Sequence, residues 1–146
     1  MAVNVGLPRE VQYQGRTVRT GIFKEQVTGR ISVSAAGLAA DGQAGLVVHD
    51  GPGSAVYAYP AEHLKFWRAS LGLEELGPGW FGQNLTLAGL TEDTVHLGDR
   101  IRVGSALLEV REPRTPCYKL GIRLGREDAV SRFLRAGRPG YYLSVI

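Results

Sequence analysis

Cysteine is almost missing from this sequence, whose 146 residues contain only one, Cys117. A single cysteine forms no disulfide within the chain, so a disulfide-stabilised secreted scaffold is excluded and a reducing compartment is favoured. Long apolar runs are missing too, since none approaches the roughly 20 residues of a membrane-spanning helix. The N-terminus, Met1–Val5, lacks the charged and apolar regions of a signal peptide. We therefore expect a cytoplasmic protein without a membrane segment.

Lysine is scarce as well: the sequence has only three lysines but 14 arginines, and its net charge is +3. No basic run or basic helix face appears, and nucleic-acid binding is therefore not expected. Arginine binds phosphate and carboxylate groups through a planar fork, whereas lysine acts as a point charge. The excess of arginine indicates an anionic ligand, although arginines spread from Arg9 to Arg138 are also typical of a solvated surface.

Several catalytic motifs are absent. The sequence has no Walker loop, dinucleotide-binding fingerprint, metal-binding histidine pair or serine-hydrolase elbow. No flavin, haem or iron–sulfur motif is visible either, so a redox reaction would need an external electron donor. The composition, with 44% hydrophobic and 21% charged residues, is that of an ordinary globular protein. The length indicates one domain over residues 1–146, large enough to bury a core.

Hydrophobic patterning predicts about eight strands, two helices and no repeats. Val56–Tyr59 alternates as a half-buried strand, and another short strand is predicted at Ile31–Val33. Gly104-Ser105 joins the strands Arg100–Val103 and Ala106–Val110 in a two-residue hairpin with glycine first, as a type II′ turn needs. The last predicted strand is Tyr141–Val145, near the C-terminus. Such a pattern predicts a mostly antiparallel β-barrel decorated by helices.

The two predicted helices carry apolar stripes. The first begins at Pro60, a favourable residue for a first helical turn, and ends at Gly72. His63 is expected on its solvent side, with the rim of a pocket as the alternative. The second spans Arg126–Ala136, and its charge order complements the helix dipole. The apolar residues expected to pack on the core are Leu64, Trp67 and Leu71 in the first helix and Val130, Phe133 and Leu134 in the second.

A stiff basic segment around the single cysteine is the strongest candidate site. Pro113 and Pro116 fix two φ angles, and Arg114 and Lys119 flank Cys117. Neighbouring cations favour the thiolate, which is the form that acts as nucleophile or metal ligand. The residues alone leave a second interpretation open, in which Cys117 is a small buried hydrophobic residue.

The segment Pro113–Gly121 resembles the cysteine segment of MOSC domains, the family named after the C-terminal domain of molybdenum cofactor sulfurases. The resemblance is closest to the YiiM-type bacterial members and covers nearly the whole chain from about Val5. Asp50 departs from the glycine usual in the family, and members usually continue beyond the position of Ile146, so we expect that their C-terminal extension is missing here. Four more segments match the subgroup in order: Asp41–Gln43, His49–Pro52, Ala55–Pro60 and Phe81–Leu85.

The resemblance implies a closed antiparallel β-barrel with two or three short peripheral helices, and a molybdenum-cofactor-dependent reductase. The equivalent cysteine in the family is the proposed ligand of molybdenum, so Cys117 is predicted to be both metal ligand and catalytic residue. Arg114 and Lys119 are predicted to hold the cofactor. The implied substrates are N-hydroxylated compounds such as hydroxylaminopurines. The other predicted cofactor-binding residues are Lys24, Asp41, Gln43, His49 and Asn84.

Two other classes of function remain open from the sequence. Cys117 could carry sulfur as a persulfide in a sulfur carrier or transferase without a metal, or the domain could be a non-catalytic carrier of the molybdenum cofactor. Sulfurases of the family bind pyridoxal phosphate in a separate domain that this sequence lacks, so pyridoxal phosphate is not expected. The expected partners are a small N-hydroxylated substrate and a reductase protein that donates electrons. The expected assembly is a monomer or a homodimer.

Overall fold

In the computed structural model of the chain, residues 1–42 and 54–146 are described. Their architecture is mostly β, with one curled seven-stranded sheet, two small sheets and three short helices. The strands of the large sheet are β1 (Ala2–Val5), β4 (Glu25–Val27), β7 (Val56–Pro60), β8 (Leu85–Leu87), β9 (Arg100–Val103), β10 (Ala106–Pro113) and β11 (Tyr141–Val145). Their order across the sheet is β4-β1-β8-β7-β11-β10-β9.

The large sheet is mixed and, within the described residues, open. β7 pairs in parallel with β8, whereas the other neighbouring strands are antiparallel. Helix α1 (Glu62–Leu71) lies in the connection between β7 and β8, which lets the second strand start again in the same direction. The prediction of a mostly β fold is confirmed. The prediction of a closed barrel is not confirmed, since β4 and β9 form edges of the described sheet. The sheet is mostly antiparallel, as the patterning predicted, and the parallel pair β7–β8 is the exception.

Strand β7 lies near the middle of the sheet and is buried along its whole length, where a half-buried strand was predicted. Tyr57 and Tyr59 belong to one apolar cluster, which includes Trp67 of α1. Val56 and Ala58 belong to a second cluster. Because packed side chains cover both faces, the alternation of residue type does not correspond to an alternation of exposure.

Two small sheets and one hairpin complete the β structure. β2 (Arg9–Tyr13) pairs with β3 (Arg16–Thr20), and β5 (Val33–Ser34) pairs with β6 (Gly37–Leu38). The strand predicted at Ile31–Val33 therefore begins later, at Val33. The hairpin of β9 and β10 is confirmed, with a φ of 59° at Gly104. No helix in the described part of the chain is long and apolar enough to cross a membrane.

The first helix has the predicted apolar stripe but a later start. Leu64, Trp67 and Leu71 are buried, and Gly72 ends the helix in the left-handed conformation. Pro60 is the last residue of β7 and not a helical residue, so the helix begins at Glu62.

The second predicted helix is shorter than expected, and an unpredicted helix precedes it. Helix α2 (Lys119–Leu124) follows the cysteine directly, and α3 spans Ala129–Ala136. A helix of six residues is too short to show a clear apolar period in the sequence. Phe133 is buried as predicted, whereas Leu134 is 62% exposed and was wrongly assigned to the core.

His63 was also wrongly predicted, because it is buried instead of facing solvent. Its Nε2 atom lies 2.6 Å from Glu92 Oε2, and its Nδ1 atom lies 3.3 Å from Arg138 Nη1. The other oxygen of Glu92 accepts a hydrogen bond from the N–H of Gly140, at 2.7 Å. A polar network thus replaces solvent around the ring, and helical periodicity alone could not reveal it.

The carboxylate of Glu92 should make stability depend on pH. Burial opposes its ionisation, but hydrogen bonds from His63 and from backbone N–H groups outweigh burial and hold the pKa of Glu92 below its ordinary value. A lowered pKa in the folded state stabilises the fold above the unfolded pKa of about 4.3 and loses this effect as pH falls. We expect the free energy of unfolding to fall less between about pH 5 and pH 3 in Glu92→Gln than in wild type. Urea unfolding at several pH values gives these free energies. An equal fall with pH in both proteins would contradict this role of Glu92.

Position 140 requires glycine, because the backbone there approaches strand β7 too closely for a side chain. Its φ is 67°, and an added Cβ would lie 2.5 Å from Ala58 O and 2.7 Å from Tyr59 Cδ2. We expect Gly140→Ala to lower the free energy of unfolding by about 2–4 kcal/mol through left-handed strain and overpacking. Gly104→Ala is the matched control, with a φ of 59° and no atom within 4 Å, and should cost only about 1–2 kcal/mol. Equal losses in urea unfolding would show that strain alone matters.

Candidate functional site

A cavity of about 90 Å³ opens beside the single cysteine. Its wall combines residues that lie far apart in the sequence, from the loop after β3, from β7, from the loop before β8, and from the segment after β10. The described residues that line it are Thr20, Gly21, Ile22, Lys24, Gly42, Tyr57, Gly82, Asn84, Arg114, Cys117, Lys119 and Tyr142. The structure thus brings together five of the residues that the sequence singled out: Lys24, Asn84, Arg114, Cys117 and Lys119.

Cys117 lies between β10 and α2, where its carbonyl accepts a hydrogen bond from the N–H of Leu120 at 3.0 Å. The residue is half-buried and borders the cavity. A purely structural cysteine would be enclosed by aliphatic side chains. The thiol is instead placed where a ligand in the cavity can reach it.

Arg114 is a buried cation on the cavity wall, with 9% of its surface exposed. Its Nη1 atom donates to Phe81 O at 2.6 Å, and its guanidinium carbon lies 4.7 Å from the ring centroid of Tyr57. Burial disfavours the cation, but Tyr57, Tyr142 and Cys117 nearby more than offset this, so the pKa of Arg114 lies above its ordinary value. Arg114 therefore carries a permanent positive charge next to the thiol.

The two tyrosines of the wall are neutral at physiological pH. Burial raises the pKa of Tyr57 and of Tyr142, even though Arg114 opposes the change in both. Tyr57 donates its hydroxyl hydrogen to Pro139 O at 2.7 Å. Sequence reasoning missed these residues as parts of the site. The repeat of tyrosine at alternate positions, Tyr57 and Tyr59, was the available signal, and Tyr142 had none.

Lys24 is the second buried cation of the wall and not an exposed strand residue. Its Nζ atom lies 2.6 Å from Asp41 Oδ1, and both side chains are almost fully buried. Burial lowers the pKa of Lys24, and the attraction of Asp41 opposes this. The ammonium group is therefore positioned by Asp41 instead of moving freely in solvent.

Asp41 does not line the cavity, but its carboxylate forms hydrogen bonds that hold lining residues in place. Its Oδ2 atom accepts a hydrogen bond from Asn84 Nδ2 at 2.7 Å, and its Oδ1 atom accepts one from the N–H of Gly6 at 2.9 Å. Asn84 in turn accepts a hydrogen bond from the N–H of Tyr57 at 3.0 Å. Asp41 was predicted to contact the cofactor, whereas its observed contacts are with Lys24 and Asn84. Gln43 and His49 lie outside the described residues, and their roles stay predictions.

The site combines one soft donor with three cations, Arg114, Lys24 and Lys119. Among the residues that the structure describes, no group of three His, Cys, Asp or Glu side chains could hold a metal ion by itself. The three cations favour an anionic ligand in the cavity.

The chain matches the family model of the MOSC domain over residues 45–146. It is 39% identical, over its full 146 residues, to the uncharacterised protein YflK of Bacillus subtilis, of which it covers 66%. It is 38% identical over 130 residues, or 87% of the chain, to the protein YiiM of Escherichia coli, of which it covers 58%. A protein named reductase from Gibberella moniliformis is 35% identical over 90% of the chain, which covers 24% of it.

Solved structures of related proteins have the same fold. The crystal structure of YiiM from Geobacillus stearothermophilus aligns with 99% of the chain at a TM-score of 0.78 and 34% identity, and the aligned part is 66% of that protein. The structure of Escherichia coli YiiM aligns with 100% of the chain at a TM-score of 0.72 and 33% identity, covering 63% of that protein. The chain spans about two thirds or less of the length of these relatives. Together with the family match, these similarities show that the chain belongs to the MOSC domain family and to its YiiM-type bacterial members.

Proposed function

We propose that the chain binds the molybdenum cofactor at the Cys117 cavity and reduces N-hydroxylated compounds such as hydroxylaminopurines. The observation that carries this proposal is the half-buried thiol on a cavity wall that also contains Arg114, Lys24 and Lys119. A thiolate is a soft ligand that suits molybdenum, and the cations suit the phosphate of a pterin. Membership of the MOSC family, associated with this cofactor, and the name of the fungal reductase support the same class of reaction.

The residues present fit such a cofactor. Arg114 Nε is buried and has no hydrogen-bond partner among the described residues, as expected of a donor that faces a bound anion. Lys24 and Lys119 add two positive charges to the same wall. The only cysteine of the sequence lies within this ring of cations, so the soft ligand and the anion-binding groups share one cavity.

Each residue has a distinct role in this proposal. Cys117 would bind the metal through sulfur, and Arg114 would hold the anion and favours a negatively charged neighbour by its permanent charge. Lys24 contacts the anion while Asp41 keeps its ammonium in place. The hydroxyls of Tyr57 and Tyr142 keep their protons and therefore add no negative charge to the wall. Asn84 orients the wall through Tyr57 and Asp41.

Reduction of an N–OH group to N–H with release of water consumes two electrons and two protons. The bound molybdenum cofactor would supply the two-electron chemistry. The sequence contains no flavin, haem or iron–sulfur motif that would supply these electrons. We propose a separate reductase protein as the donor.

Metal analysis combined with an activity assay tests the proposal. Protein expressed with molybdate should contain molybdenum and a pterin, and it should reduce hydroxylaminopurine when a chemical electron donor is supplied. Protein expressed with tungstate should lack the activity. Loaded protein that binds the cofactor but reduces no N-hydroxylated compound would instead be a carrier of the cofactor.

A sulfur carrier is the second candidate, because the half-buried thiol can be reached from the cavity without any metal. In that case Cys117 would hold one extra sulfur atom as a persulfide. Mass spectrometry of the intact protein, before and after a thiol reductant, distinguishes the two candidates. A reductant-sensitive mass increase of one sulfur atom without molybdenum would favour the carrier.

A further inference from the structure

Two arginines stack on aromatic rings next to the cavity. The guanidinium carbon of Arg9 lies 3.7 Å from the ring centroid of Phe23, and that of Arg123 lies 5.1 Å from the same centroid. Arg123 also lies 4.0 Å from the ring centroid of Trp80. Since both distances end at one ring, the two guanidinium carbons are at most about 9 Å apart, and their charges repel at that distance. We call these four residues the arginine–aromatic cluster.

The charges of this cluster are not neutralised by the described part of the chain. Neither arginine forms an ion pair with a carboxylate of residues 1–42 or 54–146. Arg123 Nε is buried and has no hydrogen-bond partner among those residues. Burial and the charge of Arg9 lower the pKa of Arg123, and Glu25 offsets only part of this. Two cations and one buried donor therefore lie close together without a directly paired carboxylate from these residues, and Glu25 acts on Arg123 only from a longer distance.

The cluster adjoins the Cys117 cavity. Arg123 lies one helical turn after Lys119 on α2, and Arg9 pairs with Thr20 between β2 and β3. Both Lys119 and Thr20 line the cavity, and Phe23 lies between two other lining residues in the sequence. The cluster is thus built on the same segments as the cavity wall, although its own four residues are not part of the lining.

We propose that Arg9 and Arg123 form a binding site for a phosphate ester beside the Cys117 cavity. Guanidinium groups form paired, charge-assisted hydrogen bonds with phosphate oxygens, and in the proposed site one phosphate contacts both arginines, whose common position against Phe23 keeps them close. Phe23 and Trp80 restrict the arginine side chains, which lowers the entropy lost on binding. A bound phosphate would also remove the repulsion between the two cations.

The phosphate could belong to either of two molecules. In one case it is the phosphate of a nucleotide whose base enters the cavity, so that the substrate of the proposed reductase is a nucleotide and not a free base. In the other case it is the phosphate of the cofactor itself. The site does not depend on the reductase proposal, since a phosphate can be measured at these arginines in protein without molybdenum.

Calorimetric titration with inorganic phosphate, at constant ionic strength, tests the site directly. Wild type should bind phosphate, and the double variant Arg9→Gln/Arg123→Gln should bind it about tenfold or more weakly. Arg135→Gln, an exposed arginine on α3, removes the same charge and should bind as wild type does. Arg123→Lys keeps the charge and should retain part of the affinity, which separates lost binding from lost packing. Equal phosphate affinity in wild type and in the double variant, with both folded, would overturn the proposal.

A second pair of measurements identifies the source. If the phosphate belongs to a nucleotide, AMP should bind wild type about tenfold more tightly than either adenosine or inorganic phosphate, because the base then binds in the cavity, and the double variant should lose the gain over adenosine. If it belongs to the cofactor, AMP should bind wild type no more tightly than inorganic phosphate does, and the double variant should contain less pterin by fluorescence. Absence of both effects would leave no phosphate ester for the site and would overturn the proposal as well.

Discussion

Cys117→Ser is expected to remove bound molybdenum and to lower reductase activity by about 100-fold or more. Substitution of residues that only contact a metal's ligands already lowers metal affinity or activity by about 10–100-fold, and loss of a ligand should cost at least as much. A serine hydroxyl is close in size to a thiol, but it stays protonated near neutral pH and is a poor ligand for a soft metal site. The half-buried position of Cys117 limits the effect on packing, so the free energy of unfolding should change by about 1 kcal/mol or less. Metal analysis and urea unfolding of the same preparations give both values.

The matched control for this substitution is Tyr118→Phe. Tyr118 follows the cysteine, is 43% exposed, and would keep its aromatic ring. Its molybdenum content and activity should equal those of wild type. If Cys117→Ser has the molybdenum content of wild type, another residue must be the ligand. If the variant instead has a much lower free energy of unfolding, Cys117 is a core residue.

Lys24→Met is expected to destabilise the fold and to weaken anion binding at the same time. Removing one partner of a buried ion pair costs about 3–5 kcal/mol, because the other charge stays buried. We expect about 3 kcal/mol, at the low end of this range, since the Gly6 N–H and Asn84 still bond Asp41 and the burial of the Lys24 cation is relieved. Lys65→Met, at an exposed position of α1, should change stability by about 0.5 kcal/mol or less.

A double variant separates the two effects of Lys24. In Lys24→Met/Asp41→Asn no unpaired carboxylate remains, so much of the lost stability should return. Pterin binding should not return, because the cation of the cavity wall is still missing. If pterin binding recovers together with stability, Lys24 acts only through the fold and does not contact the cofactor.

Local features of the fold were predictable from the sequence. Helix α1 showed its apolar stripe and its terminal glycine, and the β9–β10 hairpin showed its turn, because these signals lie within a few neighbouring residues. The full burial of β7 and its parallel pairing with β8 were not predictable. They depend on which distant segments cover the strand, and residue alternation does not encode that.

The candidate site shows the same division. Cys117, Arg114 and Lys119 lie in one short segment, and their grouping could be read from spacing alone. Lys24, Asp41 and Asn84 were selected through a family resemblance, and residue spacing gave no reason to connect them. Asp41 accepts hydrogen bonds from Lys24, Asn84 and the N–H of Gly6, contacts that spacing could not reveal, and its assignment to the cofactor stays a prediction.

The sequence by itself determined the single thiol, its rigid basic segment, the excess of arginine and the local helix and turn signals, because each depends only on composition or on near neighbours. Only the tertiary structure decided that Lys24 and Asn84 share a cavity with Cys117, and that Arg9 and Arg123 meet at one phenylalanine. These pairs of residues lie between 33 and 114 positions apart in the sequence, and their geometry is set by the pairing order of the large sheet and the packing of α2 beside it. The positions of these charged side chains depend on long-range packing, so a local sequence pattern does not predict them.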